Sequence, residues 1–134
     1  MPNSNVSQQC VIIVGAGSMF DDAITQLLRE RTDLLISHTI FSDEVAFLNV
    51  IKRDQPNLIL MCESGSLDTR QVIDSISIDP IVIALCIFVI RLSNPVIDVY
   101  ERPTLNEGKI SYRQRSITAS TANDFISILR ESVR

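Results

Sequence analysis

Small residues follow the first apolar run of the chain, where a strand would pass into a helix. Positions 11–14 hold only valine and isoleucine, and Gly-Ala-Gly-Ser fills positions 15–18. Such a turn leaves backbone N–H groups at a helix start, where an anion binds. A dinucleotide-binding turn needs a third small residue three positions after Gly17, but Phe20 stands there. Gly15, Gly17 and Ser18 therefore form a candidate anion or small-ligand site, and a plain tight turn is the alternative.

The three cysteines give a second set of candidates. Cys10, Cys62 and Cys86 are too widely spaced for a zinc motif or a disulfide framework. Cys62 and Cys86 fall near the predicted carboxyl ends of neighbouring strands, so a thiol redox pair is one interpretation. Small buried hydrophobic residues are the other. The sequence predicts no cofactor and no metal site.

Basic and aromatic residues near the C-terminus could contact RNA only if they shared a face. Alternation along a predicted strand places Lys109, Arg113 and Arg115 on one face and Tyr112 on the other. Because RNA-binding sheets combine both types on one face, a solvated face is favoured. His38 is the only histidine, which excludes a His-rich metal site and favours a strand or surface role.

The bulk composition fits one acidic domain. The chain has 134 residues, 46% of them hydrophobic and 21% charged, with a net charge of −4. This balance argues against disorder and against binding to nucleic acid or an anionic membrane surface. Residues 1–9 lack the features of a signal peptide, and the longest apolar run, 80–90, is about half of the roughly 20 residues that span a bilayer. We expect a cytoplasmic protein with a flexible N-terminus, 1–9, and one domain, 10–134.

The predicted elements alternate strand and helix in the first half of the chain. Strands are expected at 10–14, 34–40 and 58–61, and helices at 18–31, 43–53 and 67–76. This βαβαβα order predicts a parallel sheet with helices on both faces. Three further strands, 80–92, 96–102 and 109–117, and a last helix, 120–131, follow.

Helix signals give the expected caps and buried faces. Ser18 and Ser42 are the expected N-caps of the first two helices. The second helix should bury Val45, Leu48 and Ile51. The last helix should bury an apolar stripe made of Ala122, Phe125, Ile126 and Leu129.

Several segments carry a family resemblance over residues 10–76. They are the apolar run at 11–14, Met-Phe at 19–20, Leu-Leu at 27–28, Arg-Thr-Asp-Leu at 31–34, Ser-Asp-Glu-Val-Ala at 42–46 and Gln-Pro-Asn-Leu-Ile-Leu-Met at 55–61. In these segments the chain resembles the receiver domain of two-component response regulators. The resemblance implies a three-layer, flavodoxin-like α/β fold with sheet order 2-1-3-4. Here an antiparallel β extension and a final helix would complete it.

The same resemblance implies that the receiver chemistry is lost. In receivers an acidic pair after the first strand holds Mg²⁺ through oxygen ligands, and an aspartate ending the third strand accepts the phosphoryl group. In this chain the acidic pair falls on Gly15 and Ala16, and the acceptor on Cys62. A shift of one residue would place Glu63 there instead. The switch hydroxyl falls on Cys86, and Arg102 is nearest to the conserved lysine.

These features predict a non-enzymatic regulatory or protein-interaction module, a pseudo-receiver in signal transduction that acts through dimerisation or partner binding. The apolar strand at 80–92 is expected either to be fully buried or to form a homodimer interface. The expected interface residues are Ile87, Val89, Ile90, Leu92, Val96, Val99 and Tyr100. Two alternatives stay open: a nucleotide- or anion-binding domain at the turn of residues 15–18, and a thiol sensor.

Overall fold

A computed structural model describes residues 9–63, 69–77, 86–91, 94–107 and 109–132. The strands are β1 (Cys10–Gly15), β2 (Leu35–Ile40), β3 (Leu58–Glu63), β4 (Cys86–Arg91), β5 (Asn94–Asn106) and β6 (Lys109–Thr118). The helices are α1 (Met19–Arg31), α2 (Glu44–Asp54), α3 (Thr69–Ser77) and α4 (Ala122–Ser132). Residues 67 and 68 of the predicted third helix lie outside the described residues.

One mixed sheet of six strands organises the chain. Its order is β2-β1-β3-β4-β5-β6, with β2, β1, β3 and β4 parallel and β5 and β6 antiparallel to their neighbours. The predicted order 2-1-3-4 and the antiparallel extension are both confirmed. The carboxyl ends of the four parallel strands share one edge, called here the carboxyl edge.

Helices cover both faces of the sheet. On one side, the α1/α4 face, Val11 and Ile13 of β1 pack with Leu28 of α1 and Leu129 of α4. On the other side, the α2/α3 face, residues 12 and 14 pack with the buried side chains of α2 and α3. Because β1 and β3 are buried on both faces, their sequences are continuous apolar runs and do not alternate between apolar and polar residues.

The buried faces of two helices differ from the prediction. Asp43, not Ser42, is the N-cap of α2, and its carboxylate accepts a hydrogen bond from the backbone N–H of Ala46 at 2.8 Å. Phe47 and Ile51 face the core, whereas Val45 is 70% exposed. A helix advances about 100° per residue, so an apolar stripe assigned to the wrong positions points the wrong way. In α4 the residue predicted inward at position 122 is exposed.

The predicted homodimer interface is wrong in its residues, because most of them lie inside the fold. Ile87 and Val89 face the α2/α3 side, and Ile90 and Val99 face the α1/α4 side, all buried. Val96 and Tyr100 are half-buried, and Leu92 lies outside the described residues, as do residues 80–85 of the predicted strand. The described part of this strand is therefore covered within the chain itself.

None of the helices in the described part of the chain has the length and apolar content that a bilayer span requires.

Candidate functional site at the carboxyl edge

The turn between β1 and α1 is built around a buried aspartate. Ser18 is the N-cap of α1 and forms a capping box with Asp21, in which each side chain bonds to the other residue's backbone N–H. Asp21 is fully buried, and its carboxylate lies directly against Gly15. A methyl group at position 15 would collide with that carboxylate. Glycine is therefore needed here for the close approach of Asp21.

The carboxylate of Asp21 accepts hydrogen bonds from the turn and from β2. The backbone N–H groups of Gly17 and Ser18 donate at 3.3 and 2.7 Å, and the Ser18 hydroxyl also donates. Nε2 of His38 lies 2.6 Å from Oδ2. Burial alone would raise the pKa of Asp21, but the hydrogen bonds from Ser18, His38 and the backbone outweigh it and lower that pKa.

The carboxylate of Asp21 occupies the position at the turn where an external anion would bind. The N–H groups of Gly17 and Ser18 point at an anion, but the anion is the chain's own Asp21. An external phosphate would have to displace a carboxylate that is held by four donors. The geometry therefore favours the tight-turn interpretation over the ligand site at Gly15, Gly17 and Ser18.

Among the described residues, one group of three side chains could hold a cation: Asp21, Asp22 and His38. Their potential metal-binding atoms all lie within 4.8 Å of one another. One imidazole and two carboxylates could bind a transition-metal ion. However, Asp21 and His38 are bonded to each other, and a cation would have to break that contact. The arrangement is therefore a hydrogen-bonded pair that fixes β2 to α1 rather than a metal centre.

A second polar cluster closes the ends of β3 and β4. Arg91 stands opposite Glu63 in the parallel register, and its guanidinium bonds to that carboxylate at 2.9 and 3.4 Å. It also donates to Asp98 of β5 at 2.8 Å, and Ser116 of β6 donates to Asp98 at 3.2 Å. These contacts join the parallel part of the sheet to the antiparallel part.

Three residues at predicted receiver positions, Gly15, Ala16 and Cys62, lie near the carboxyl ends of β1 and β3, where the sequence placed them. Gly15 ends β1 and Ala16 follows it at the carboxyl edge. Cys62 lies near the end of β3, but its side chain is buried in the α1/α4 cluster. Burial, and then the charge of Asp21, raise the pKa of the Cys62 thiol to about 12.

The positions predicted for Cys86 and Arg102 are wrong. Cys86 begins β4 and stands opposite Leu58, whereas Cys62 stands opposite Ile90. The two cysteines are thus four residues apart along the strands, about 13 Å at the usual rise. A disulfide needs Cα atoms within about 7 Å, which excludes the redox pair. β5 runs antiparallel to β4, and its Tyr100 pairs with Ile87 near the start of β4. Arg102 lies two residues farther along β5, and so it lies at the edge of the sheet opposite the carboxyl edge.

The described members of the basic-aromatic cluster divide between faces as alternation predicts, and the side chain of Lys109 lies outside the described part of the chain. Tyr112 packs against the α2/α3 cluster, and burial raises its pKa to about 12. Its hydroxyl has no hydrogen-bond partner in the described part of the chain. Arg113 and Arg115 are exposed, and Arg115 forms a 2.8 Å ion pair with Glu101.

The sequence drew attention to Ser18, His38 and Glu63 singly but did not predict the contacts that join them to Asp21, Arg91 and Asp98 in the two polar clusters. One available signal was the Ser-x-x-Asp spacing of Ser18 and Asp21, which is typical of a capping box. Another was alternation in β2, which places His38 on the same face as the buried Ile36, toward α1. The network of Glu63, Arg91 and Asp98 has no such local signal, since it joins three strands.

No protein-family model, no curated protein and no solved structure matches the chain significantly. Fold and geometry alone therefore carry the functional argument.

Proposed function

We propose that this chain is a non-enzymatic regulatory module of the receiver type, which acts by binding another protein segment along the open edge of β6. The observation that carries the proposal is the position of β6. It is the last strand of the sheet, ten residues long, and no further strand covers it in the described part of the chain. A terminal strand presents a row of backbone donors and acceptors that an extended segment can pair with.

The exposure of β6 supports this reading. Ser111, Arg113, Gln114, Arg115, Ser116 and Thr118 are all exposed. Polar side chains of this kind keep an edge soluble without blocking its backbone. β2, the other edge strand, has only six residues. β6 therefore offers the longer docking edge.

The carboxyl edge supports binding over phosphotransfer. A phosphoryl acceptor site needs free carboxylates for Mg²⁺ and an accessible acceptor. Here Asp21 is held by the turn and by His38, and Glu63 is bonded to Arg91. The Cys62 thiol is buried. The receiver-type, flavodoxin-like assignment is supported by the sheet order and by the helices on both faces, and the homodimer, cytoplasmic location and signalling role stay predictions.

An NMR titration tests the proposal. The ¹⁵N-labelled chain is titrated to millimolar concentration with an uncharged, six-residue peptide of alternating threonine and valine. We expect shifts in the amides of residues 111–118, because the peptide adds a strand to β6. The amides of β2 and of α1 provide the internal comparison. If β6 amides stay unchanged while the peptide remains soluble, the edge does not accept a strand and the proposal fails.

A further inference from the structure

We infer that the segment that pairs with β6 is an acidic strand from a different protein, with a carboxylate opposite Arg113, rather than a second copy of this chain. This inference rests on the proposed function, because it names the partner of the same edge. Its basis is the charge pattern of β6 and the registers in which β6 could meet itself.

The strand β6 itself carries two exposed arginines and has no acidic residue between positions 109 and 118. Arg113 and Arg115 are two residues apart and so lie on one face of β6. Glu101 of β5 stands opposite Arg113 and bonds to Arg115 at 2.8 Å. On the inner side of β6, the carboxylate of Glu101 therefore bonds to Arg115, while Arg113 only stands opposite Glu101 in the register. On the outer side of β6, no strand among the described residues supplies a carboxylate.

Pairing of β6 with its own copy places like charges together. In an antiparallel pair about a twofold axis, an axis at Arg113 or at Arg115 sets that arginine opposite itself. An axis at Gln114 sets Arg113 opposite Arg115 twice, and an axis at Tyr112 sets Arg115 opposite Lys109. Like charges directly opposite each other destabilise a strand pair. An axis at residue 116 avoids this but pairs only residues 114–118.

An acidic strand would instead place opposite charges next to each other across the pair. Glutamate or aspartate at alternate positions would lie opposite the two arginines, as Glu101 does within the hairpin. Each opposite-charge pair between exposed strands is worth about 0.2–1 kcal/mol, which converts to an affinity gain of roughly 1.4- to fivefold. The chain has a net charge of −4, but this does not prevent an acidic strand from binding at β6. The arginines lie nearest to the docked strand, and more distant charges are screened by salt.

Peptide charge and one arginine variant test the inference. Three six-residue strand-forming peptides of equal length are titrated into the ¹⁵N-labelled chain in roughly 0.1 M salt, where the Debye length is about 10 Å. One peptide is uncharged, one has two alternate glutamates and one has two alternate lysines. With two such pairs, we expect the acidic peptide to bind β6 roughly two- to twenty-fivefold more tightly than the uncharged one, and the lysine peptide to bind more weakly. The acidic preference should shrink in 0.5 M salt and in Arg113→Gln. The matched control, Arg29→Gln on exposed α1, should retain it.

The outcomes separate this inference from the proposed function. Equal binding of acidic and uncharged peptides overturns the acidic partner but leaves β6 as a docking edge. No binding of any peptide overturns the docking edge itself. Light scattering over a hundredfold range of concentration gives a further check: a dimer with protected β6 amides would overturn the exclusion of a second copy.

Discussion

Replacement of Gly15 by alanine tests the central geometry of the carboxyl edge. Glycine-to-alanine changes at compatible backbone angles usually stabilise a protein by about 0.4–1 kcal/mol, because they restrict the unfolded chain. Gly15 lies in β1, outside the positive-φ region that favours glycine. Backbone considerations alone therefore predict a gain in stability for Gly15→Ala.

The structure predicts a loss instead. The added methyl group would overlap the carboxylate of Asp21. If α1 shifts to make room, overpacking costs about 1–3 kcal/mol. If Asp21 rotates away, α1 keeps its Ser18 cap but loses the Asp21 half of the capping box, about 1 kcal/mol, and the charged hydrogen bond to His38, about 1.5–3 kcal/mol. The chain takes the less costly response, so after the entropic gain we expect a net loss of about 1–2 kcal/mol.

Urea denaturation followed by circular dichroism measures this loss. With a denaturant slope between about 1 and 3 kcal/mol/M, the midpoint should fall by roughly 0.3–2 M. In an Asp21→Ala background the same change should cost less, because the overlapping carboxylate is gone. Asp22→Ala, one residue along on the exposed side of α1, should not alter the cost of Gly15→Ala. A Gly15→Ala chain as stable as the parent, or more stable, would refute the reasoning.

Three further predictions concern the polar clusters and thiols. The lowered pKa of Asp21 means that its stabilising effect is present above the unfolded value near 3.9 and is lost as the pH falls through the folded value. The stability gap between the parent and Asp21→Asn should therefore persist from pH 7 to about pH 5 and close below about pH 4, in urea titrations at each pH. A Cys62 thiol with a pKa of about 12 is thiolate in about one molecule in 10⁴ at pH 8, so a disulfide reagent should label it roughly a thousandfold more slowly than the unfolded chain in a variant lacking the other cysteines; labelling at the unfolded rate would contradict its burial. Arg91→Met should lower stability by roughly 1–3 kcal/mol, because two half-buried carboxylates lose their shared cation, whereas Arg53→Met, on the exposed surface, should leave the urea midpoint unchanged.

Local sequence patterns were sufficient to predict an element where they allow a single assignment. The apolar runs of β1 and β3 predicted buried parallel strands, and Ser18 predicted the start of α1. The second helix shows the limit of such signals. Ser42 and Asp43 are adjacent and both can cap a helix, and Asp43 is the N-cap in the structure. The apolar residues of α2 also fit more than one stripe, and the chain buries Phe47 rather than Val45.

Long-range pairing limited the prediction of the site. The sequence contains no local sign that Cys86 stands opposite Leu58, because the apolar residues before and after Cys86 are alike. Only the register with β3 fixes that position. In the same way, the 2.6 Å contact between Asp21 and His38 joins residues 17 positions apart and depends on β2 lying beside β1. Polar contacts between elements follow from packing, which composition and periodicity do not encode.

The sheet changes from parallel to antiparallel pairing at β4, and this change has a consequence for the order of folding. β5 and β6 are joined by a short connection, so their contacts are local, and hairpins of this kind form in about 1–10 μs. The pairing of β1 with β3 links residues about 47 positions apart, which requires closure of a much longer loop. We expect the hairpin to form first and the parallel strands to assemble later. β4 would then be the strand on which an early, local half and a late, long-range half of the sheet meet.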